Sequence, residues 1–297
     1  MIVLLVMAPL LATAADRVVY LAGSGNAALD DQVVRMLGQT MGERTEIRRI
    51  ASDQAAMINR SPIIAVGPTA FSNVRQSNRD AYVLALLVRQ ELMQPYVTGY
   101  PGQLSAIYYD VPLLRQALIG KAILPHANHI AILASAASAS DYEPLLDQLP
   151  AYDLKARVFV VDSLDELIPT VIRALNYGDF LLASNDETIY NPRTIKHILL
   201  TAYRRDRIVI GPNQAYVKAG SIASGYAPFG EMIQGAAEAV DQFYTTGRLP
   251  PAGYPPRFSV TINRQVARSL NIPIPEPEDI NQWVNDTLKA DAEAGHD

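Results

Sequence analysis

The sequence predicts an α/β protein made of two Rossmann-like lobes, each built on a parallel sheet, joined by a hinge. Short apolar runs alternate with amphipathic segments along most of the chain. The alternation comes in two series, both beginning strand–helix–strand, on either side of a segment at about residues 89–109. The 297 residues, 49% hydrophobic and 19% charged, are enough for two domain-sized cores.

The first series opens with a buried strand at residues 17–23 (RVVYLAG). Residues 29–42 place Leu29, Val33, Met36 and Leu37 at helical spacing. Strands follow at 45–50, 62–67 (PIIAVG) and 81–88 (AYVLALLV), with a short helix at 53–60. Near-continuous apolar strands of this kind suit a parallel sheet covered on both faces. Residues 89–102, rich in Gly, Pro and Tyr, read as irregular.

A helix at 111–123 precedes the second series, which reads strand 129–134, helix 139–149, strand 155–161, helix 164–175 and strand 180–183. Helix 192–204 and strands 207–211 and 221–226 continue it. Helix 229–246 sets Met232, Ile233, Ala236, Ala237, Val240 and Tyr244 on one face and stops at Gly247, a favourable C-cap. Strand 258–262 and helix 264–270 close the pattern. Pro273, Pro275 and Pro277 form an extended exit, and residues 279–297 read as a surface helix with a frayed tail.

Composition narrows the function. The net charge is −5 and no Lys/Arg-rich block occurs, so the electrostatic footprint of a nucleic-acid binder is missing. There is no cysteine, which excludes disulfides, thiolate metal sites, thiol catalysis and a lipidated N-terminal cysteine. The first residues, MIVLLVMAPLLATAAD, join an apolar run to an Ala-Thr-Ala step, the layout of a secretory leader spanning residues 1–15. The run falls short of the about 20 residues a membrane-spanning helix needs. Its expected fate is cleavage and export; a buried strand or helix is the competing reading.

Few motifs carry chemistry. Gly23-Ser24-Gly25-Asn26-Ala27-Ala28 fits the dinucleotide fingerprint G-x-G-x-x-G/A between a strand and a helix, with Glu43 and Glu46 as ribose-binding acids. The same residues also read as a tight turn capped by Asn26 or Asp30. His126, His129 and His197 come without a carboxylate pair, and no G-x-S-x-G elbow, HExxH or P-loop is present. The expectation is a binding protein with no enzymatic activity, no cofactor and no metal.

Strand-end loops are the expected binding surface, because open α/β sheets take ligands outside the carboxyl ends of their strands. Two such edges facing across a hinge would form a cleft. The candidate ligand-binding residues are Ser24, Thr69, Arg89, Ser135, Ser138, Ser140, Asp186, Asn213 and Tyr226. Arg89 suits a ligand carboxylate. The serines at 135–140 gather hydroxyls and N–H groups at a helix start, a seat for an anion. Asp186 suits an ammonium, and Tyr226 a stacked ring.

Four stretches carry a family resemblance: VTGY at 97–100, AILPHANHIAIL at 122–133, GAAEAV at 235–240 followed by GRLPP at 247–251, and SVTINRQVARSLNIP at 259–273. They resemble segments of the ABC-transporter substrate-binding proteins of the aromatic-amino-acid-binding type. The likeness runs from about residue 96 to 275, and its last stretch is the most specific. It implies the type I periplasmic binding fold, with residues 16–108 plus 228–258 as one lobe, 109–227 plus 259–280 as the other, and 281–297 as a C-terminal helix or tail. It also implies a periplasmic monomer that captures a small solute by hinge closure and delivers it to an inner-membrane ABC permease. Within it, Ser138 and Ser140 fall where the family meets its ligand, Asp186 falls in a strand-end region of the family, and Tyr226 where the chain crosses back between the lobes. Residues 88–91, Val-Arg-Gln-Glu, differ from the turn the family usually has. That difference motivates an alternative: a periplasmic sensory or adaptor protein signalling to a membrane kinase or cyclase.

Overall fold

The apolar runs pair as two separate sheets. The computed structural model describes residues 17–255 and 257–294; the leader read at residues 1–15 lies outside them. By backbone proximity the chain divides into two units. The first runs to Tyr109 and resumes over Phe229–Pro255, and the second comprises Asp110–Pro228 and the chain from Pro256 onward.

The first unit holds β1 (Arg17–Ala22), β2 (Thr45–Ile50), β3 (Ile63–Val66), β4 (Val83–Val88) and β5 (Leu104–Tyr108). They pair in the order β2-β1-β3-β4-β5, all parallel. All four residues of β3 are buried, and at about 1.5–3 kcal/mol for each large aliphatic side chain this strand alone strongly favours the sheet. Helices α2 (Gly67–Ser77) and α3 (Gln90–Gly99) bury Phe71, Val74 and Met93 on one face. Helix α1 (Ala27–Met41) packs against helix α9 (Phe229–Thr246), which itself lies on β4 and β5. The Tyr244 hydroxyl donates to the Val18 carbonyl (2.6 Å) and accepts from the Val18 N–H (3.1 Å). The late helix is thereby tied to the first strand.

In the second unit β6 (His129–Ala134), β7 (Lys155–Val160), β8 (Phe180–Leu182), β9 (Ile208–Ile210), β10 (Ala223–Tyr226) and β11 (Ser259–Ile262) take the order β11-β10-β9-β8-β6-β7. Every pair is parallel except β10–β11, which is antiparallel. Helices α4 (Leu113–Ile123), α5 (Glu143–Gln148) and α11 (Pro277–Ala294) share a core on one face. Helices α6 (Leu164–Tyr177) and α7 (Ile195–Tyr203) share one on the other. Short helices α8 (Gln214–Ala219) and α10 (Arg264–Ser269) follow β9 and β11. Gly178, which ends α6, is pressed against β6: an added Cβ would lie 2.7 Å from the Ala131 nitrogen and 2.8 Å from the Phe180 carbonyl. Backbone cannot step aside cheaply. Gly178→Ala is therefore expected to cost about 1–3 kcal/mol in thermal denaturation, and an unchanged melting temperature would refute the close approach.

Several sequence expectations are corrected. Most of the stretch read as irregular, 89–102, is α3, and β5 follows it as a strand that went unread. Pro95 inside α3 disguised the helix, although Met93 and Val97 sit four apart on its inner face. The helix read from 279 is present as α11, but it is not only a surface helix: its Ile280 and Val284 are 1% and 0% exposed in the second core. The helix read at 139–149 is a 3₁₀ turn (Ala139–Tyr142), the six-residue α5 and a second 3₁₀ turn. The helix read at 53–60 is a 3₁₀ segment, and α2 and α8 went unread.

Candidate functional site

Strand order locates the site within each unit. In a parallel sheet, the loops after two neighbouring strands part where the winding reverses, leaving a crevice at their carboxyl ends. In the second unit the reversal lies between β6 and β8, since β7 pairs on the other side of β6. In the first unit it lies between β1 and β3.

The second crevice holds a built cluster. After β6, the Ser135 N–H donates to Asp186 Oδ2 at 2.9 Å, and the Ser138 hydroxyl donates to the same oxygen at 2.5 Å. The two serine hydroxyls lie 3.0 Å apart. After β8, the Thr188 N–H donates to Asp186 Oδ1 at 2.9 Å. The Asp186 carbonyl caps the following turn by accepting from Tyr190 N–H at 2.7 Å. One carboxylate thus ties the two loops together. Burial alone would raise its pKa, but the bonds from Ser138, Ser135 and Thr188 outweigh that and hold it below the ordinary value of 3.8. Asp186 is therefore an anion at neutral pH, and among the described residues no lysine or arginine pairs with it.

Under the carboxylate lies a buried floor. The Tyr142 hydroxyl is 2.6 Å from Ser184 Oγ, and burial foremost pushes the Tyr142 phenol up. Tyr190 is 2% exposed, with a pKa raised well above normal, chiefly by burial. The Tyr216 hydroxyl donates to the Tyr190 carbonyl at 2.5 Å. Rigid hydroxyl-bearing rings thus back the loops that hold Asp186.

The first crevice repeats the device. The Ser24 N–H and hydroxyl both donate to Asp30 Oδ1 at 2.8 Å. Asp30 packs so closely over Gly23 that an added Cβ would lie 2.3 Å from its Oδ2. Asn26 caps α1 through the Leu29 N–H, and Glu46 pairs with Arg48. A carboxylate and a cap thus fill the Gly-Ser-Gly turn, the places a pyrophosphate would take. Thr69 is exposed in the first turn of α2, across the β1/β3 crevice from Ser24.

Arg89 follows β4, where Leu87 forms a bulge between Leu86 and Val88 and holds φ at 60°. A bulky residue there is an outlier, and bulges re-aim the residues beside them. Arg89, half-buried, stands at the cap of α3.

The remaining candidates separate. Ser140 is exposed in the 3₁₀ turn and joins none of these bonds. Because that turn is short and Asp186 already holds the Ser135 N–H and Ser138 hydroxyl, the seat read for a ligand anion is filled by the chain itself. Asn213 is spent as the cap of α8, accepting from the Ala215 N–H at 3.0 Å. Tyr226, at the end of β10, lines a different groove of about 520 Å³ with Ser259, Asn281 and Asn285.

Gln116, absent from the sequence reading, organises the carboxyl ends of β9 and β10. Its side chain, 1% exposed, accepts from the Gly225 N–H at 2.8 Å and donates to the Gly225 carbonyl at 3.0 Å. No local pattern marks a helix glutamine for this task. His129 stands at the start of β6, the opposite edge from Asp186, beside Asp179 at 4.0 Å. Among the described residues, no group of three His, Asp or Glu side chains is placed to hold a metal ion, and no helix is long and apolar enough to cross a membrane.

No protein-family model and no curated protein matches the chain. Solved structures do. One is the ligand-free, open form of a substrate-binding protein with adhesive properties from Clostridium difficile, at 14% identity and a TM-score of 0.72, over 88% of this chain and 97% of that one. Another is an ABC domain in complex with L-Trp from Streptococcus pneumonia, at 16% identity and a TM-score of 0.55, over 88% and 96%. A third is a conserved domain protein from Vibrio cholerae, at 17% identity and a TM-score of 0.54, over 89% and 97%. The shared architecture is the type I periplasmic substrate-binding fold.

Proposed function

We propose that this protein is a periplasmic solute-binding protein of an ABC transport system. It captures a small solute by hinge closure of its two units, with the loops at the β6/β8 and β1/β3 crevices as the contact surface, and passes it to an inner-membrane permease. It acts on the solute by binding alone, as a monomer, without a cofactor. The observation that carries this reading is the Asp186 cluster: a fixed anion held by Ser135, Ser138 and Thr188 at the switch point of a sheet whose fold is that of substrate-binding proteins. Such a group selects a cationic or ammonium-bearing solute. The likeness to the L-Trp-bound domain supports amino acids as the first class to test.

The test is a thermal-shift screen with amino acids, amines and other small metabolites. A solute at about 100 times its dissociation constant adds about 2.7 kcal/mol of stability, a clear rise in melting temperature. A positive result with ammonium-bearing compounds, lost on removing the ammonium, supports the reading. A protein that responds to none of them, or only to anions, overturns it.

A further inference from the structure

A groove of about 660 Å³ in the first unit lies away from both switch-point crevices, where α3, the end of α9 and the chain from Arg248 to Tyr254 border strand β5. Its volume falls in the usual range for small-molecule sites. One wall is fixed by backbone pairing: the Tyr108 N–H donates to the Gly253 carbonyl and the Gly253 N–H to the Ala106 carbonyl, both at 3.0 Å. On this wall the rings of Tyr108 and Tyr254 meet edge to face, with centroids 5.1 Å apart. The Tyr254 hydroxyl donates to Gln90 Oε1 at 2.8 Å. A rigid aromatic wall of this kind suits a planar ligand.

The charge of the groove is one-sided. Arg248 is its single ionised side chain; the other polar side chains are glutamines, threonines and tyrosines, with no carboxylate among them. The guanidinium is also held in place. It lies so close over Gly102 that an added Cβ would be 2.4 Å from Nε, and its Nη2 donates to the Pro101 carbonyl at 3.1 Å. Gly102 has φ +85°, so it supplies both the turn and the flat seat. A guanidinium tethered to Pro101, with donors to spare and, among the described residues, no acid paired with it, is a seat for a carboxylate, which it can grip with two parallel bonds.

We propose that this groove is a second binding site, for a planar organic carboxylate whose acid group pairs with Arg248 and whose flat body lies on the Tyr254 wall. The site is independent of the solute reading, since none of its residues belongs to the switch-point loops.

The test is a fluorine NMR titration of the full chain with 4-fluorobenzoate, and with 4-fluorobenzamide as the uncharged counterpart. Saturable binding of the benzoate is expected, about tenfold or more tighter than the amide, which is about 1.4 kcal/mol. Arg248→Gln is expected to remove that preference, and Arg248→Lys to retain part of it. Gly102→Ala is expected to weaken the benzoate although the arginine is still present. Asp186→Asn should leave the titration unchanged. Arg248 is exposed, so melting temperatures of its variants should match the parent and separate a lost site from a lost fold. No saturation up to on the order of 10 mM, equal affinity in Arg248→Gln, or loss in Asp186→Asn instead would overturn the proposal.

Discussion

Gln116→Leu is expected to destabilise the second unit by about 3 kcal/mol, lowering the melting temperature by roughly 6–12 °C. The glutamine fits its site in volume, so little packing is lost. The cost comes from the N–H of Gly225, buried near the end of β10, whose acceptor is the glutamine oxygen; the Gly225 carbonyl keeps the Ser224 hydroxyl as a donor at 3.0 Å. Leucine leaves that N–H without its acceptor, and each buried polar group so stranded costs about 1–3 kcal/mol. The carbonyl of Pro212, 3.4 Å from Nε2, loses a weaker donor. Thermal and urea denaturation of the variant against the parent would measure this. A shift below about 2 °C would mean that water or a shifted strand replaces the amide.

The second large effect concerns solute capture. Asp186→Ala is expected to weaken an ammonium-bearing solute by tenfold or more, about 1.4 kcal/mol. Two losses add there: the anion facing the solute, and the acceptor that ties the loops after β6 and β8 through Ser135, Ser138 and Thr188. Unchanged affinity in calorimetric titration would remove Asp186 from the site. A pH series separates the charge from the tether. Folding depresses the Asp186 pKa, so its contribution to stability is complete above the free value of 3.8 and is lost as pH falls through the lower folded value. Asp186→Asn should therefore show a flatter decline of melting temperature below about pH 4 than the parent. Parallel curves would show that the carboxylate is not held as an anion by its neighbours.

The two-series layout was legible because strand runs such as Ile63–Val66 and Val83–Val88 are apolar throughout. Covered parallel strands have that signature. The serines and Asp186 were legible as strand-end residues, since loop position follows from strand position. Their mutual bonds were not, because Ser135 and Asp186 are 51 residues apart in sequence and meet only through strand order. The same limit hid Gln116, whose partner Gly225 lies 109 residues on. Helix α3 was missed for a local reason, the proline that interrupts its pattern. Asn213 shows the converse: a residue that suits a ligand is as well suited to start a helix, and here it caps α8, while Asn26 caps α1 as the turn reading expects.

The division of the first unit across the chain bears on how the molecule is made. Its covering helix α9 is separated from β1 by the whole of the opening segment of the second unit, and Tyr244 bonds to Val18 across 226 residues. The second unit likewise waits for β11 and α11, which come last. The first unit cannot complete its core on a ribosome until α9 has emerged, nor the second until β11 and α11 have, and contacts of such long sequence separation form slowly. Until then the strands of the first unit stand without the helix that covers them, and their apolar faces and edges stay open to misassociation.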